Sequence, residues 1–378
     1  MYQIEALIDL YIDANIVLIF AFMVWRLVQL GLSRSNLKRD YGFQLNLTEG
    51  AMIAVFLSPV IAYGVSALNA ALFPKVSLNA ADFAVAQFLN GHVQMEAQKF
   101  EAILSFRQTM VEALASGQGM GAQLIIALFS GGAVVAVIVT ARSVFNVNQL
   151  IRGSYVWRRF GRLDIRLCDT INVPFSTRGL RRRHIFVPSG MLAQPDELRI
   201  TLSHELQHMR RNDVEWELAL TLLRPLFFWN PVYYLWKRNL ETLRELSCDQ
   251  AILRRKRVTP HAYADCLLSV CQRSIHSSFA ENITVPKVPF LSFAKAAGRR
   301  NFTALHQRIS AITSQPRVVH HRGVLFWSAM VLTTIAIAVG ASSVRKPADW
   351  SQDRLMLSTI VNLERLETRN SGLSLAGY

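Results

Sequence analysis

The chain has 378 residues, of which 51% are hydrophobic, and a mean hydropathy of +0.24. This is too apolar for an ordinary soluble protein of its length, so the composition indicates membrane segments. The formal net charge is +15, but the basic residues cluster beside apolar runs, and no zinc knuckle or RNA-binding signature accompanies them. The charge is therefore typical of membrane topology, and we expect no direct contact with nucleic acid.

The first apolar run, residues 10–30, follows an acidic N-terminus that lacks the basic lead-in and cleavage site of a signal peptide. We therefore expect it to stay in the protein as a membrane anchor. Further spans are predicted at 51–73 and 122–145. Lys and Arg follow the first and third spans, which predicts cytoplasmic loops there and an N-terminus outside. Residues 75–121 would form an external helical loop, either a connector packed on the membrane surface or a sensing surface.

After the third span, residues 164–167 and 184–187 are predicted to form short strands, joined by a turn through Pro174 and Gly179. A helix-start signal at Pro195 then precedes the sequence H-E-L-Q-H at residues 204–208.

The H-E-x-x-H pattern predicts a zinc site. On a helix, His204 and His208 lie one turn apart on one face, where two imidazoles can hold one Zn²⁺. Glu205 would lie beside the metal and accept a proton from a zinc-bound water as the general base. The alternative is a helix whose histidines form hydrogen bonds in a core. Two buried histidines flanking a glutamate would be costly without a metal or partners, so we favour the zinc site.

The next apolar stretch, residues 216–236, contains Pro225 and Pro231 and several polar residues. A single membrane crossing here would place the H-E-x-x-H helix and the following chain on opposite sides of the bilayer. The prolines instead favour a broken, re-entrant or interfacial hairpin that returns to the cytoplasmic side.

A second predicted helix, residues 241–254, carries Glu245 and Asp249 one turn apart. Gluzincin proteases need a carboxylate from a second helix as third zinc ligand, and often another that orients a ligating histidine. Glu245 fits the first role and Asp249 the second. The alternative for Glu245 is an exposed acidic helix stabilised by i,i+4 ion pairs. His261 and Tyr263, which open another helix, are candidate groups for the oxyanion or substrate, with ordinary packing as their alternative.

The remaining chain is predicted to contain a loop at 283–298, a basic helix at 302–312, a fourth span at 324–344 and one amphipathic helix in the tail. The predicted fold is therefore a mainly α membrane protein with four transmembrane helices and a cytoplasmic α+β gluzincin domain between spans three and four. The predicted regions are a three-span membrane domain at 1–148, the zinc protease domain at 149–320, the fourth span at 321–344 and a short external tail at 345–378.

Several segments together resemble the BlaR/MecR-type membrane metallopeptidases. They are H-E-L-Q-H-M-R-R-N-D at 204–213, N-P at 230–231, R-E-L-S-C-D at 244–249 and I-F-V-P-S-G at 185–190, with three spans before the protease and one after it. The resemblance implies a cytoplasm-facing gluzincin site with His204, His208 and Glu245 as zinc ligands, Glu205 as the base and Asp249 as the supporting carboxylate. Arg211 and Asp213 match a family pattern to which we assign a structural role.

The resemblance also implies beta-lactam sensing by triggering inactivation of a winged-helix repressor. Sensors of that family carry an external penicillin-binding domain after the fourth span, where this sequence has a short tail. An S-x-x-K sequence at 343–346 has neither the surrounding fold nor the K-T-G that would make its serine a nucleophile.

We therefore predict a zinc endopeptidase of the bacterial inner membrane that cleaves a protein substrate on the cytoplasmic side, with both termini outside. By resemblance the substrate is a transcriptional repressor and the protein a signal transducer. A membrane-protein quality-control protease and a non-catalytic receptor or scaffold supported by zinc are the alternatives. The predicted partners are the substrate protein and the lipid bilayer, and a homodimer is left open.

Overall fold

The computed structural model describes residues 2–72, 80–179, 181–276, 288–289, 299–313, 322–344 and 352–375. Within these residues the chain is mainly helical and contains one small mixed sheet. The helices are α1 (Tyr2–Ser33), α2 (Tyr41–Phe56), α3 (Ser58–Leu72), α4 (Ala80–Leu89), α5 (Ala97–Ser116), α6 (Met120–Gly153), α7 (Pro195–Arg211), α8 (Asp213–Leu223), α9 (Pro231–Arg254), α10 (Pro260–His276), α11 (Arg299–Thr313), α12 (Arg322–Val344) and α13 (Gln352–Leu375). The strands are β1 (Tyr155–Phe160), β2 (Leu163–Cys168), β3 (Phe175–Arg178), β4 (Arg183–Pro188) and β5 (Val288–Pro289).

Three helices, α1, α6 and α12, are long and apolar enough to cross a membrane, and they contain three of the predicted spans. The predicted second span differs from the structure, because α2 and α3 are separate helices bent by 65°. Pro59 lies at the second position of α3, where it lacks an N–H donor and its ring would clash with the carbonyl four residues earlier. The two helices together form a fourth span only if the bent pair counts as one. The chain is a membrane protein, and its described part contains three to four such spans.

The chain divides into two compact units. The first comprises Met1–Val28, Gly50–Ser130 and Trp327–Tyr378, and the second Gln29–Glu49 and Gly131–Phe326. In the first unit, α4 and α5 of the predicted external loop pack against α13 of the predicted tail around Phe100, Leu357 and Val361. Arg365 and Glu101 form an ion pair of 2.6 Å between α13 and α5. The two segments therefore form one helical cluster, which the sequence did not predict.

The second unit contains the sheet, whose strand order is β1-β2-β4-β3-β5. The predicted strands at 164–167 and 184–187 form the centres of β2 and β4, which pair in parallel, while the other pairs are antiparallel. The segment that connects β2 to β4 was predicted as a turn, but it also contains the strand β3. Strand β1 was not predicted either. Gly161 joins β1 to β2 with a φ of 56°, a left-handed conformation that a side chain would disfavour.

Helices α7 to α11 complete this unit, and their apolar sides form a core with β2 and β4. The predicted helix starting at Pro195 is confirmed as α7. The break predicted in the apolar stretch is confirmed as well, since α8 ends at Leu223 and α9 begins at Pro231. Asn230 caps α9 by accepting a hydrogen bond of 3.0 Å from the Val232 backbone N–H. The predicted helix at 241–254 is thus the second part of α9, and the one at 302–312 is confirmed as α11.

The predicted loop at 283–298 lies outside the described residues apart from its two-residue strand β5. Val288 of this strand pairs with Ser176 of β3. An extended piece of chain therefore lies along the β3 edge.

Candidate metal centre

The two histidines of the H-E-x-x-H motif lie side by side on α7. His204 and His208 are both completely buried, and their Nε2 atoms are 3.0 Å apart. Glu245 reaches them from α9, with Oε2 3.4 Å from the Nε2 of His204 and Oε1 3.6 Å from the Nε2 of His208. One ligand atom from each of the three residues can be chosen so that all lie within 4.8 Å of one another. The structure thus brings together the three predicted metal ligands.

The ring nitrogen of His208 that faces away from Glu245 is held by a carboxylate. Its Nδ1 lies 2.7 Å from Oδ2 of Asp213, and both side chains are fully buried. This contact fixes the proton on Nδ1 and leaves the Nε2 lone pair directed toward Glu245. Asn212, in a left-handed conformation with φ of 60°, ends α7 and starts α8, which places Asp213 next to the imidazole.

A two-step contact holds His204 in the same way. Its Nδ1 lies 2.8 Å from the hydroxyl of Tyr263, and that hydroxyl donates a hydrogen bond of 2.6 Å to Asp249. Since the hydroxyl proton is used on Asp249, its oxygen accepts the Nδ1 proton of His204. Oδ1 of Asp249 also lies 3.5 Å from the same ring nitrogen. The structure therefore places Asp249 behind His204, where the supporting carboxylate was predicted, with the Tyr263 hydroxyl bridging the two.

The predicted general base has a polar partner from the sheet. Ser176 of β3 donates a short hydrogen bond to Oε2 of Glu205, and both residues are completely buried. The other carboxylate oxygen, Oε1, has no hydrogen-bond partner among the residues described in the structure. Burial raises the pKa of Glu205 well above its ordinary value, and the hydrogen bond from Ser176 acts in the opposite direction. Glu205 is thus held at Oε2 by Ser176, and burial favours its uptake of a proton.

Arg308 of α11 was not predicted as part of the site. Its Nε and Nη2 donate hydrogen bonds of 2.8 and 2.7 Å to the two oxygens of Asp249. Its Nη1 lies 2.9 Å from Oε2 of Glu245. Burial alone would raise the pKa of Asp249, but the adjacent guanidinium lowers it below its ordinary value. Arg308 therefore keeps this carboxylate ionised in a buried setting.

The chemistry of these residues suits a divalent cation. Burial lowers the pKa of His204 to about 3, so its imidazole is neutral, as a metal ligand must be. Burial raises the pKa of Glu245 to about 7, and the nearby Arg308 guanidinium acts in the opposite direction. Four buried carboxyl groups meet here, those of Glu205, Asp213, Glu245 and Asp249. Among the described residues, the guanidinium of Arg308 contacts Glu245 and Asp249, and that of Arg211 lies 3.8 Å from Asp213. A cation bound by two neutral imidazoles and a carboxylate would offset this imbalance.

The two candidate oxyanion or substrate residues are placed differently. His261 is exposed at the start of α10. Tyr263 is completely buried, and its hydroxyl lies on the side of His204 opposite to the nitrogen that faces Glu245. These contacts make Tyr263 a group that orients His204.

Ser176, Asp213 and Arg308 are the site residues whose roles the sequence did not reveal. Asp213 stood within the recognised motif, but its position after the second histidine gave no sign of which atom it would contact. Ser176 and Arg308 lie far from the motif in sequence, and no spacing pattern connects them to it.

A buried His-His-Glu cluster beside a buried glutamate, in a chain with membrane-spanning helices, is consistent with the metal site of a membrane metallopeptidase. A family model described as BlaR1 peptidase M56 matches residues 13–312. The chain therefore belongs to the BlaR1 peptidase M56 family, in agreement with the resemblance seen in its motifs.

A curated relative, Regulatory protein BlaR1 of Bacillus licheniformis, is 27% identical over 208 residues. The match covers 53% of this chain and 32% of the relative. The chain thus matches about a third of that protein's length.

Proposed function

We propose that this protein is a zinc endopeptidase that hydrolyses peptide bonds on the cytoplasmic side of the membrane. The observation that carries the proposal is the convergence of His204, His208 and Glu245 beside a buried Glu205 with one oxygen unpartnered among the described residues. Membership of a peptidase family supports the reaction class. The basic residues after α1 and α6 support a cytoplasmic position for the site and an outward N-terminus.

The residues of the site have separate tasks in this reaction. His204, His208 and Glu245 would hold the Zn²⁺, with Asp213 and Tyr263 fixing the two rings. When bound, zinc supplies Lewis acidity that favours deprotonation of water and stabilises negative charge on the peptide carbonyl. Glu205 accepts the proton of the attacking water and then delivers it to the departing amine. Ser176 keeps the Glu205 carboxylate in one orientation while the proton moves.

The β3 edge supports an extended polypeptide as the substrate. β5 already lies along this edge, with Val288 paired to Ser176, the residue that contacts Glu205. An extended peptide that replaced β5 in that position would satisfy the backbone hydrogen bonds of β3 while its scissile bond lies near the base. The substrate would therefore bind as an added strand.

The biological role we favour is signal transduction through cleavage of a transcriptional repressor. The name of the matched relative, a regulatory protein, supports this role. A quality-control protease is the second candidate, because the α8–α9 break exposes Leu226 and Trp229, which could receive membrane-protein substrates. A purely structural zinc site is disfavoured by the buried Glu205, since a structural site has no need of a base.

Comparative proteomics of cells that express the protein or its Glu205→Ala variant distinguishes these roles. We expect one DNA-binding protein to accumulate uncleaved in the variant, because regulation requires a specific substrate. Accumulation of many membrane proteins would instead favour quality control. Identical proteomes, with identical cleavage products in both strains, would argue against a peptidase that uses Glu205.

A further inference from the structure

Helix α11 approaches the metal centre without supplying a ligand. Leu305 and Ile312 are buried in the core shared with α10, and Ile309 packs against the same core. Arg308 lies on the same side of the helix and is only 5% exposed. The apolar contacts thus hold α11 in place, and Arg308 extends from this face into the site.

Arg308 connects two groups that lie on opposite sides of the His204 ring. One edge of its guanidinium binds both oxygens of Asp249, which also accepts the hydrogen bond from Tyr263. The remaining nitrogen, Nη1, lies 2.9 Å from Oε2 of Glu245. Because the guanidinium is planar, these contacts fix the two carboxylates relative to each other.

The contact also distinguishes the two oxygens of Glu245. Oε2 lies 2.9 Å from the guanidinium Nη1 and 3.4 Å from the Nε2 of His204, whereas Oε1 lies 3.6 Å from the Nε2 of His208. A ligating carboxylate is commonly held by a partner on its second oxygen, which orients the first toward the metal. Arg308 is placed to be that partner.

We propose that Arg308 is a positioning residue for the metal centre, and that it makes metal affinity depend on the docking of α11. The inference rests on the proposed function, because it assumes that Glu245 is a metal ligand.

Metal binding to the full-length protein in lipid nanodiscs tests this role without relying on activity. Zn²⁺ affinity is measured by competition with a chelator, and the coordination geometry by the visible spectrum after Co²⁺ substitution. We expect Arg308→Met and Arg308→Lys each to weaken binding about 10- to 100-fold and to change the spectrum. The matched control is Gln307→Met, an exposed neighbour on the same helix, which should leave both unchanged.

The lysine variant separates positioning from charge compensation. Lysine keeps the positive charge but cannot bind both carboxylates as a planar fork. Wild-type affinity and spectrum in Arg308→Lys would therefore overturn the proposal. If Arg308→Met fails to fold because Asp249 is left unpaired, Arg308→Met combined with Asp249→Asn removes both charges, and comparison with Asp249→Asn alone isolates the loss of the Glu245 contact.

Hydrogen exchange supplies a reciprocal measurement. If docking of α11 strengthens metal binding, metal must strengthen the docking of α11 to the same extent. Zn²⁺ should therefore slow amide exchange in residues 305–312 of the wild type, and not in Arg308→Met. Equal exchange with and without bound metal would contradict the coupling. A wild-type protein that binds no zinc would instead refute the proposed function itself.

Discussion

The two histidines proposed as metal ligands have different neighbours behind their rings. The Nδ1 of His208 is hydrogen-bonded to Asp213 at 2.7 Å, whereas the Nδ1 of His204 is hydrogen-bonded to the Tyr263 hydroxyl and lies 3.5 Å from Asp249. A direct carboxylate raises the basicity of its imidazole more than a neutral hydroxyl does. Asp213, which lies five residues after His208, should therefore matter more to metal affinity than a merely structural residue would.

We expect Asp213→Asn to reduce Zn²⁺ affinity about 10- to 100-fold, because the amide cannot stabilise the Nδ1 proton as a carboxylate does. The measurement is chelator competition on the purified protein. Asp265→Asn is the matched control, since Asp265 is an exposed aspartate on α10. Equal affinity in wild type and Asp213→Asn would show that Asp213 does not orient His208.

The clustering of the candidate metal ligands could be predicted because it follows from local spacing. His204, Glu205 and His208 follow from one helical turn, and Glu245 from the need for a third ligand on another helix. Ser176 could not be predicted, because a hydroxyl on a short strand carries no signal of the glutamate it will contact 29 residues later. Arg308 escaped prediction for the same reason, since only tertiary packing of α11 brings it to the site.

At the scale of elements, proline and polar residues within an apolar stretch predicted a helix break, whereas the short strands β1 and β3 could not be predicted. The α8–α9 break was predicted from its prolines, and it allows Glu245 on α9 to reach the histidines on α7. The break between α2 and α3 was missed, although Pro59 marks it, because an apolar run long enough for a span conceals a bend. β1 and β3 were missed because their pairing partners, rather than their own sequences, determine them.

The α8–α9 break also packs closely on α6. A Cβ atom added at Gly132 would overlap the ring of Phe228, which lies in the break, whereas one added at the adjacent Gly131 would meet open space. We expect Gly132→Ala to lower the unfolding temperature, with a cost of about 1–3 kcal/mol typical of overpacking. Gly131→Ala should be neutral or slightly stabilising, because alanine favours helix over glycine by about 1 kcal/mol.

Thermal unfolding of both variants in the same detergent provides the comparison. In a Phe228→Ala background the clashing ring is absent. Gly132→Ala should therefore lower the unfolding temperature less in that background than in the wild type. Equal unfolding temperatures for Gly131→Ala and Gly132→Ala would mean that α6 and the break do not pack as described.

At the scale of the whole molecule, composition and motif together predicted a membrane protein with a zinc-protease type of site, and the family match agrees with both. The pairing of α13 with α4 and α5 could not be predicted, because the two segments are distant in sequence and each is an ordinary amphipathic helix. The division into two units follows from such long-range packing, which hydrophobic periodicity and charge pattern do not predict.

Metal content and peptidase activity, measured together on the purified full-length protein, test the central claim most directly. The variants are Glu205→Gln and Glu245→Gln, and the substrate is a proteome-derived peptide library. We expect one zinc per chain and peptide hydrolysis in the wild type. Glu205→Gln should keep its zinc but lose about 100-fold or more in activity, as expected for removal of a general base. Glu245→Gln should lose most of its zinc. Undiminished hydrolysis by Glu205→Gln, or full zinc content in Glu245→Gln, would contradict the account.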